Sequence, residues 1–225
     1  MLKLYFHATP NSMKAALLIQ ELELPFEIEP IDIFKGEQHS DAFRAINPNA
    51  KVPALLDGDV TVFDSHAILL YLAEKHGRYL PAGAKERAAA LSWLEFVASG
   101  LSPFSGQAVH FLHFAPGDLE YAKNRYFKEV ERHYRVLDDR FSTNEFLAGS
   151  EYSIADMALW GWASIAGFIF GEKGLADYPN VQRFMDTIAQ RPAVARALAM
   201  KEKLSFKSEV DEETLLALFP HNKAA

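Results

Sequence analysis

The chain contains no cysteine among its 225 residues. That single absence removes disulfides, thiolate metal sites and any cysteine nucleophile supplied by the protein. It suits a reducing compartment and is compatible with any other. Excess positive charge is also missing. Lys and Arg number 23 against 30 Asp and Glu, a formal net charge of -7, and a general nucleic-acid binder needs a basic face. No apolar run reaches the ~18 residues that a membrane helix requires. The opening Met1-Leu2-Lys3-Leu4-Tyr5-Phe6 passes straight into a strand pattern, without the basic start, long apolar stretch and small-residue cleavage site of a secretory signal. These absences predict a soluble, cytoplasmic protein with no nucleic acid and no membrane as partner. What is present is ordinary globular composition, 49% hydrophobic and 24% charged, on a chain long enough for one large domain or two small ones.

Patterning divides the chain. Leu2 to Phe6 alternates as a strand, and Asn11 to Glu23 spaces Ala15, Ala16, Leu18, Ile19 and Leu22 as a helix that Pro25 ends. Phe26, Ile28 and Ile31 mark a second strand, so a crossover and a parallel pair are expected. His39 to Ile46 is a short amphipathic stretch. Val52 to Leu56 and Thr61 to Phe63 are strands joined by Asp57-Gly58-Asp59, a hairpin signal, and Ser65 to His76 is another helix. Beyond Gly77 to Ala84, which reads as a linker, strand signals nearly vanish. Lys85 to about Ala115 predicts one long helix bent near Pro103, followed by helices over 117–141, 178–190 and 193–203. Ser153-Ile154-Ala155-Asp156 carries the side chains of a capping box, with Asp in place of the preferred Glu or Gln. The fold class expected is α+β with two domains: a βαβαββα unit at 1–77, a linker at 78–84 and an all-helical domain at 85–225.

Three short segments carry polar groups where chemistry is plausible, and each has a plain structural reading beside it. Val52-Pro53 is an X-Pro bond, cis only ~5–6% of the time in folded proteins. Asp64-Ser65 enters a helix, where free N–H groups attract a carboxylate and where an ordinary cap is also expected. Thr9-Pro10-Asn11-Ser12 enters the first helix, and all three polar types cap helices well.

Taken in order, Asn47-Pro48-Asn49-Ala50-Lys51-Val52-Pro53, Asp64-Ser65 and the box at Ser153–Asp156, set in a βαβαββα domain followed by helices, resemble the glutathione transferase superfamily from roughly Leu2 to Met200. Thr9-Pro10-Asn11-Ser12 and Ala67-Ile68-Leu69-Leu70-Tyr71-Leu72-Ala73-Glu74-Lys75 are most similar to its bacterial Nu class. The resemblance implies a thioredoxin-like first domain and glutathione as co-substrate. It implies a cis Val52-Pro53 bond that presents the Val52 backbone to the cysteinyl unit of glutathione, in the manner of an added strand. Asp64 and Ser65 are then matched to the ammonium and carboxylate of the γ-glutamyl end. Lys51 and Gln38 are matched to the glycyl carboxylate, and Arg132 to the glutathione of its own or a partner subunit. The ordinary reading of Arg132 is a surface ion pair.

A free thiol has a pKa near ~8.5, so thiolate formation near neutrality needs donors aimed at sulfur. The resemblance puts the activating group on Asn11, then Thr9, then Ser12; Asn11 donates an amide N–H without being deprotonated, and Thr9 a hydroxyl. Tyr5 is the rival, as the tyrosine of a tyrosine-type transferase. The second substrate, a small electrophile or a disulfide, is expected between domains around Phe104, Gln107, His110 and Phe111, which could equally be helix aromatics in a core. With no cysteine, any disulfide exchange would take both reacting sulfurs from small thiols and substrate. His110 and His113 have no third ligand in view, so no metal is expected. The resemblance further implies a homodimer through the first two helices of the second domain. The competing function is a non-catalytic glutathione-binding or carrier protein; an isomerase of the maleylacetoacetate type lacks its serine-cysteine signature here.

Overall fold

Alternating burial decides the first element. Leu2, Leu4 and Phe6 are buried while Lys3 and Tyr5 between them are partly exposed, so β1 (Leu2–Phe6) has one face in a core. In the computed structural model, which describes residues 1–222, α1 (Pro10–Glu21) then crosses to β2 (Phe26–Pro30), and β1 and β2 pair in parallel with Leu2 opposite Phe26. A parallel pair cannot be closed by a tight turn, and α1 provides the crossover. The remaining strands, β3 (Ala54–Asp57) and β4 (Val60–Phe63), form a hairpin whose Gly58 takes φ +64, a conformation that glycine adopts without steric cost. β3 runs antiparallel to β1, giving a four-stranded sheet in the order β2-β1-β3-β4. A short helix α2 (Asp41–Arg44), capped by Ser40, precedes β3, and α3 (Ser65–His76) follows β4. Ala15, Ala16, Leu17, Leu18 and Ile19 of α1, with Ile68, Leu69 and Leu72 of α3, are fully buried. Each large aliphatic among them contributes roughly 1.5–3 kcal/mol by leaving water.

The chain divides into two compact units: Met1–Leu72 together with everything from Ala195 onward, and Ala73–Val194. The C-terminal part of the first unit comprises the end of α10 (Pro192–Glu202), an extended run and α11 (Glu212–Leu218). It is tied back by Arg196, whose guanidinium donates to the Gln20 carbonyl (2.7 Å), and by the Lys207 N–H on Asp32 Oδ2 (2.8 Å). The Phe206 ring lies 4.1 Å from that of His7, centroid to centroid. None of these links was legible in local pattern, and α11 was not foreseen, although Asp211 accepts from Thr214 N–H at its start as an N-cap should.

The second unit is helical. The expected long helix is three pieces, α4 (Ala84–Phe96), a π-helical turn at Val97–Leu101 and α5 (Ser102–His113). The break has a cause: Pro103 has no N–H to donate and its ring would crowd the carbonyl four residues back, so the helix widens just before it. There Ser102 N–H reaches the Val97 carbonyl, five residues back. Next come α6 (Glu120–Phe141), α7 (Ile154–Ala163), the unforeseen short helix α8 (Ala166–Phe170) and α9 (Pro179–Ala189). Every residue of α7 is buried. The Asp156 carboxylate, itself fully buried, accepts from the Ser153 N–H and the Leu147 N–H at 2.8 Å each and from the Ser153 hydroxyl at 3.0 Å. Asp thus serves in the box where Glu is usual. Among the described residues no single helix is long and apolar enough to cross a membrane. The sheet-plus-helix unit and the helical unit are the α+β organisation that the pattern predicted.

Candidate functional site

The open end of β3 comes first. Its ladder with β1 begins at Tyr5 opposite Ala54, so Val52 lies beyond the paired register, and the Val52-Pro53 peptide bond is cis. The loop before it is held by Asn47, buried to 2% exposure, whose Oδ1 accepts from Asn49 N–H (2.9 Å) and whose Nδ2 donates to the Lys51 carbonyl. Asn47 therefore fixes the loop from both sides and presents Lys51 and Val52 at its rim.

Asp64 sits just before α3 at φ +75, a region that costs a non-glycine residue roughly 1–2 kcal/mol and that persists where surroundings impose it. Its Oδ1 accepts from the N–H groups of His66 (2.9 Å) and Ala67 (3.3 Å), so it caps the helix with one oxygen of its carboxylate. Ser65 is buried beside it. Val52, Pro53, Asp64 and Ser65 line one small cavity of about 60 Å³ together with Asn11, Asn47, Asn49 and Lys51.

A larger cavity of about 450 Å³ adjoins it. Thr9, Asn11, Ile33, Gln38, His39 and Ala50 contribute to its wall, as do Leu218, Pro220 and His221 from the C-terminal segment. Asn11, Asn49, Lys51 and Val52 belong to both cavities. The last three wall residues were not anticipated. The acidic first turn after Asp211, followed by Leu215, Leu216 and Leu218, was a legible helix start, but nothing local tells that helix to close on residues near the N-terminus.

The three residues proposed at the start of α1 are placed differently from one another. Thr9 is the N-cap: its Oγ1 accepts from Ser12 N–H (3.2 Å) and lies 3.1 Å from Ser12 Oγ, to which it donates. Ser12 is fully buried and lines neither cavity. Asn11 borders both, and its Oδ1 accepts from Lys14 Nζ at 2.8 Å. The Lys14 Nζ also lies 3.0 Å from His66 Nε2. Burial lowers the Lys14 ammonium to about pKa 7, against the opposing pull of the Asp64 carboxylate. Tyr5, the rival donor, lines neither cavity; its ring packs 5.7 Å from that of Phe43, against the cluster of Ile31, Phe43, Val52 and Ala54.

Gln38 is buried in the wall of the larger cavity, with its amide nitrogen donating to the carbonyls of Ile33 (3.3 Å) and Ala217 (3.0 Å). His39 Nε2 donates to the same Ala217 carbonyl at 2.9 Å. These two residues tie α11 to the N-terminal part of the same unit. Lys51 stands exposed at the rim of both cavities.

The remaining sequence-predicted residues lie in the helical unit. Arg132 clasps Glu129 one turn back through Nε (2.9 Å) and Nη2 (2.6 Å), an ion pair within α6. On α5, Phe111 stacks on Tyr126 with ring planes 7° apart, and Phe104 lies against Tyr126 and His133. Gln107 is on the same helix, and His110 meets Phe111 edge to face, its imidazole pKa lowered by burial. Among the described residues no cluster of three His, Asp or Glu side chains is arranged to hold a metal ion.

Comparison with known proteins places this geometry. A family model described as the glutathione S-transferase N-terminal domain matches residues 1–74, and one described as its C-terminal domain matches residues 101–192. Disulfide-bond oxidoreductase YfcG of Escherichia coli is 42% identical over 205 residues, covering 88% of this chain and 94% of its own. Glutathione transferase YghU from Streptococcus pneumoniae, solved in complex with glutathione, has TM-score 0.84 at 37% identity, covering 92% of this chain and 84% of that one. A glutathione transferase from Pseudomonas putida, solved with one glutathione disulfide per subunit, has TM-score 0.82 at 32% identity and covers 88% and 90% respectively. With both of its halves matched and with relatives of this identity aligned along most of its length, the chain belongs to the glutathione S-transferase family.

Proposed function

We propose that this chain is a glutathione-dependent enzyme that binds glutathione along the Val52 edge and holds its thiol as a thiolate beside Asn11. The observation that carries the reading is the junction of the two cavities: the small one bounded by Val52-Pro53 and Asp64-Ser65, the large one open to a second substrate, with Asn11 in the wall of both. The backbone of Val52 pairs with the cysteinyl unit as an added strand would. Asp64 meets the γ-glutamyl ammonium with its second carboxylate oxygen, while Ser65 at the helix start meets the carboxylate. Lys51 takes the glycyl carboxylate. Gln38 contributes from the cavity wall, where its first duty is to the Ala217 carbonyl.

With the peptide held at both ends, its thiol falls where the cavities join. None of Thr9, Asn11 and Ser12 is a base, so the site lowers the thiol pKa by stabilising the anion and lets the proton leave to water. Asn11 donates through its amide, the start of α1 adds its dipole, and Thr9 serves mainly as the cap that sets this turn. The thiolate then attacks one of two partners. An electrophilic carbon yields a thioether and releases its leaving group. A disulfide R–S–S–R yields a mixed disulfide and one thiolate RS⁻, and a second glutathione thiolate completes the reduction, giving glutathione disulfide and the second RS⁻. The chain has no sulfur of its own among the reacting partners, having no cysteine.

Similarity to an oxidoreductase named for disulfide bonds, and to a transferase solved with glutathione disulfide, favours the second route. The wall formed by Lys51, His39 and His221 suits a second substrate that carries carboxylates. Phe104, Gln107, His110 and Phe111 remain the surface proposed for bulkier electrophiles, and Arg132 a contact to glutathione in its own or a partner subunit. We place the enzyme in the cytoplasm as a homodimer built on residues 85–141, which sedimentation would report as twice the 25.2 kDa chain mass.

The test is a glutathione titration followed by amide chemical shifts. Shifts at Val52 and Ser65 are expected at millimolar ligand; silence there would sink the binding site. Asn11→Ala is then compared with wild type on a chromogenic electrophile and on a small disulfide. Equal inertness of both proteins while glutathione still binds would leave a binding module in place of an enzyme.

A further inference from the structure

One buried charge at this site has no part in gripping the peptide. Lys14 lies on α1, one turn after Asn11, and none of its surface reaches water. Burying an ammonium is costly unless its donors are satisfied, and a lysine in the apolar face of a helix could be replaced by a methionine of similar length. Its Nζ contacts include the Asn11 Oδ1 at 2.8 Å and the His66 Nε2 at 3.0 Å, with Asp64 as a nearby counter-charge.

These contacts carry directional information. An ammonium only donates, so it requires an acceptor at each contact. The Asn11 amide is nearly symmetric in shape, and its oxygen and nitrogen ends exchange by a half-turn. With Oδ1 held by Lys14, both N–H groups of Nδ2 lie on the opposite branch. Turned the other way, the amide would direct two donors at an ammonium and aim a carbonyl oxygen at the site of a thiolate.

We propose that Lys14 is a positioning residue for the glutathione chemistry, locking the Asn11 side chain so that its amide N–H, not its carbonyl, faces the thiol. This rests on the reading in which Asn11 meets the thiol. His66 backs the arrangement by accepting from the same ammonium, which sets its proton on Nδ1. Burial brings the ammonium down to about pKa 7; the neutral amine above that pH can accept as well as donate, so the lock is strongest on the acid side of that value.

The experiment is a double-mutant cycle read by the thiolate absorbance of bound glutathione across pH, in wild type, Lys14→Met, Asn11→Ala and the double variant. Glutathione affinity is measured in parallel by calorimetry. The expected result for Lys14→Met is little change in affinity, a bound-thiol pKa raised by on the order of one unit, and kcat/KM lowered on the order of tenfold. The double variant should be no worse than Asn11→Ala, because the lysine acts only through the amide. An unchanged bound-thiol pKa in Lys14→Met, or full addition of the two effects, overturns the assignment. Asn11→Asp decides the matter if Lys14→Met does not fold. It keeps an acceptor for Lys14 but turns a carboxylate oxygen toward sulfur, so its bound-thiol pKa should exceed that of Asn11→Ala; a value equal or lower overturns the proposal. Failure of the underlying reading shows separately, as wild-type protein that binds no glutathione or leaves its thiol pKa unmoved.

Discussion

Among the described residues each unit buries one acidic or basic side chain completely, and the two have opposite fates. Asp156 in the helical unit is pushed up to about pKa 6 by desolvation, against the donors on Leu147 and Ser153. Lys14 in the sheet unit is pushed down to about 7, again mainly by desolvation. The Asp156 bonds run to Ser153 at the start of its own helix and to the Leu147 N–H a few residues upstream, so the carboxylate fastens chain to chain. The Lys14 bonds include those to the side chains of Asn11, which borders both cavities, and His66. Equal burial thus serves architecture in one unit and orientation in the other. What separates them is the kind of partner.

Removing Asp156 should break this comparison most visibly. Asp156→Ala leaves the buried N–H groups of Leu147 and Ser153 without acceptors, and a loss of about 3 kcal/mol or more is expected in denaturant midpoint. Gly100→Ala comes next. A Cβ there would lie 2.5 Å from His133 Nε2, and that ring is anchored by Nδ1 donating to the Glu129 carbonyl at 2.7 Å. A cost of roughly 1–3 kcal/mol should follow, measured by urea unfolding. Lys14→Met points the other way. A buried ammonium exchanged for a thioether of similar volume should leave stability unchanged or raised by about 1 kcal/mol while activity falls. A Lys14→Met protein as damaged as Asp156→Ala would erase the contrast.

Titration sharpens it further. Folded Lys14 releases its proton near pH 7 and the unfolded chain keeps it to 10.5, so the unfolded state binds more protons between them. Stability should therefore rise with pH across that window, and the slope should vanish in Lys14→Met. Folded Asp156 holds its proton to about pH 6 and the unfolded chain only to 3.8. Its contribution falls as pH rises through that interval, the opposite sign. The smallest effect is expected from Asp211→Ala, which removes the cap of α11 and the ion pair to Lys207. The unfolding midpoint should hold while limited proteolysis, read by mass spectrometry, cuts beyond Lys207 faster than in wild type.

Much of the fold was legible because its causes are local. β1, α1, the hairpin at Gly58, α3 and the box at Ser153–Asp156 each announce themselves within a dozen residues, through periodicity, turn chemistry or capping. The bend near Pro103 was readable from a missing N–H, but its resolution as a π-helical turn was not, since that depends on how neighbouring helices tolerate the wider turn. At the site, Val52-Pro53, Asp64-Ser65 and Asn11 were singled out and share the small cavity. Thr9 and Ser12 look alike in sequence, and only packing separates the cap at the cavity edge from the hydroxyl buried behind it.

By itself, then, the amino-acid sequence determined the order of elements in the sheet-bearing N-terminal part, the absence of any protein sulfur nucleophile and the identity of the segments that enter α1, β3 and α3, because these follow from composition and from neighbours along the chain. Only tertiary structure decided that Leu218, Pro220 and His221 close on Thr9 and Asn11, and that a lysine on the inner face of α1 reaches an asparagine amide and a histidine on α3. Contacts between residues more than fifty positions apart leave no periodic trace in the chain. They exist because burying the faces of α1 and α3 against one sheet brings Lys14 and His66 together and leaves the ammonium no water to turn to.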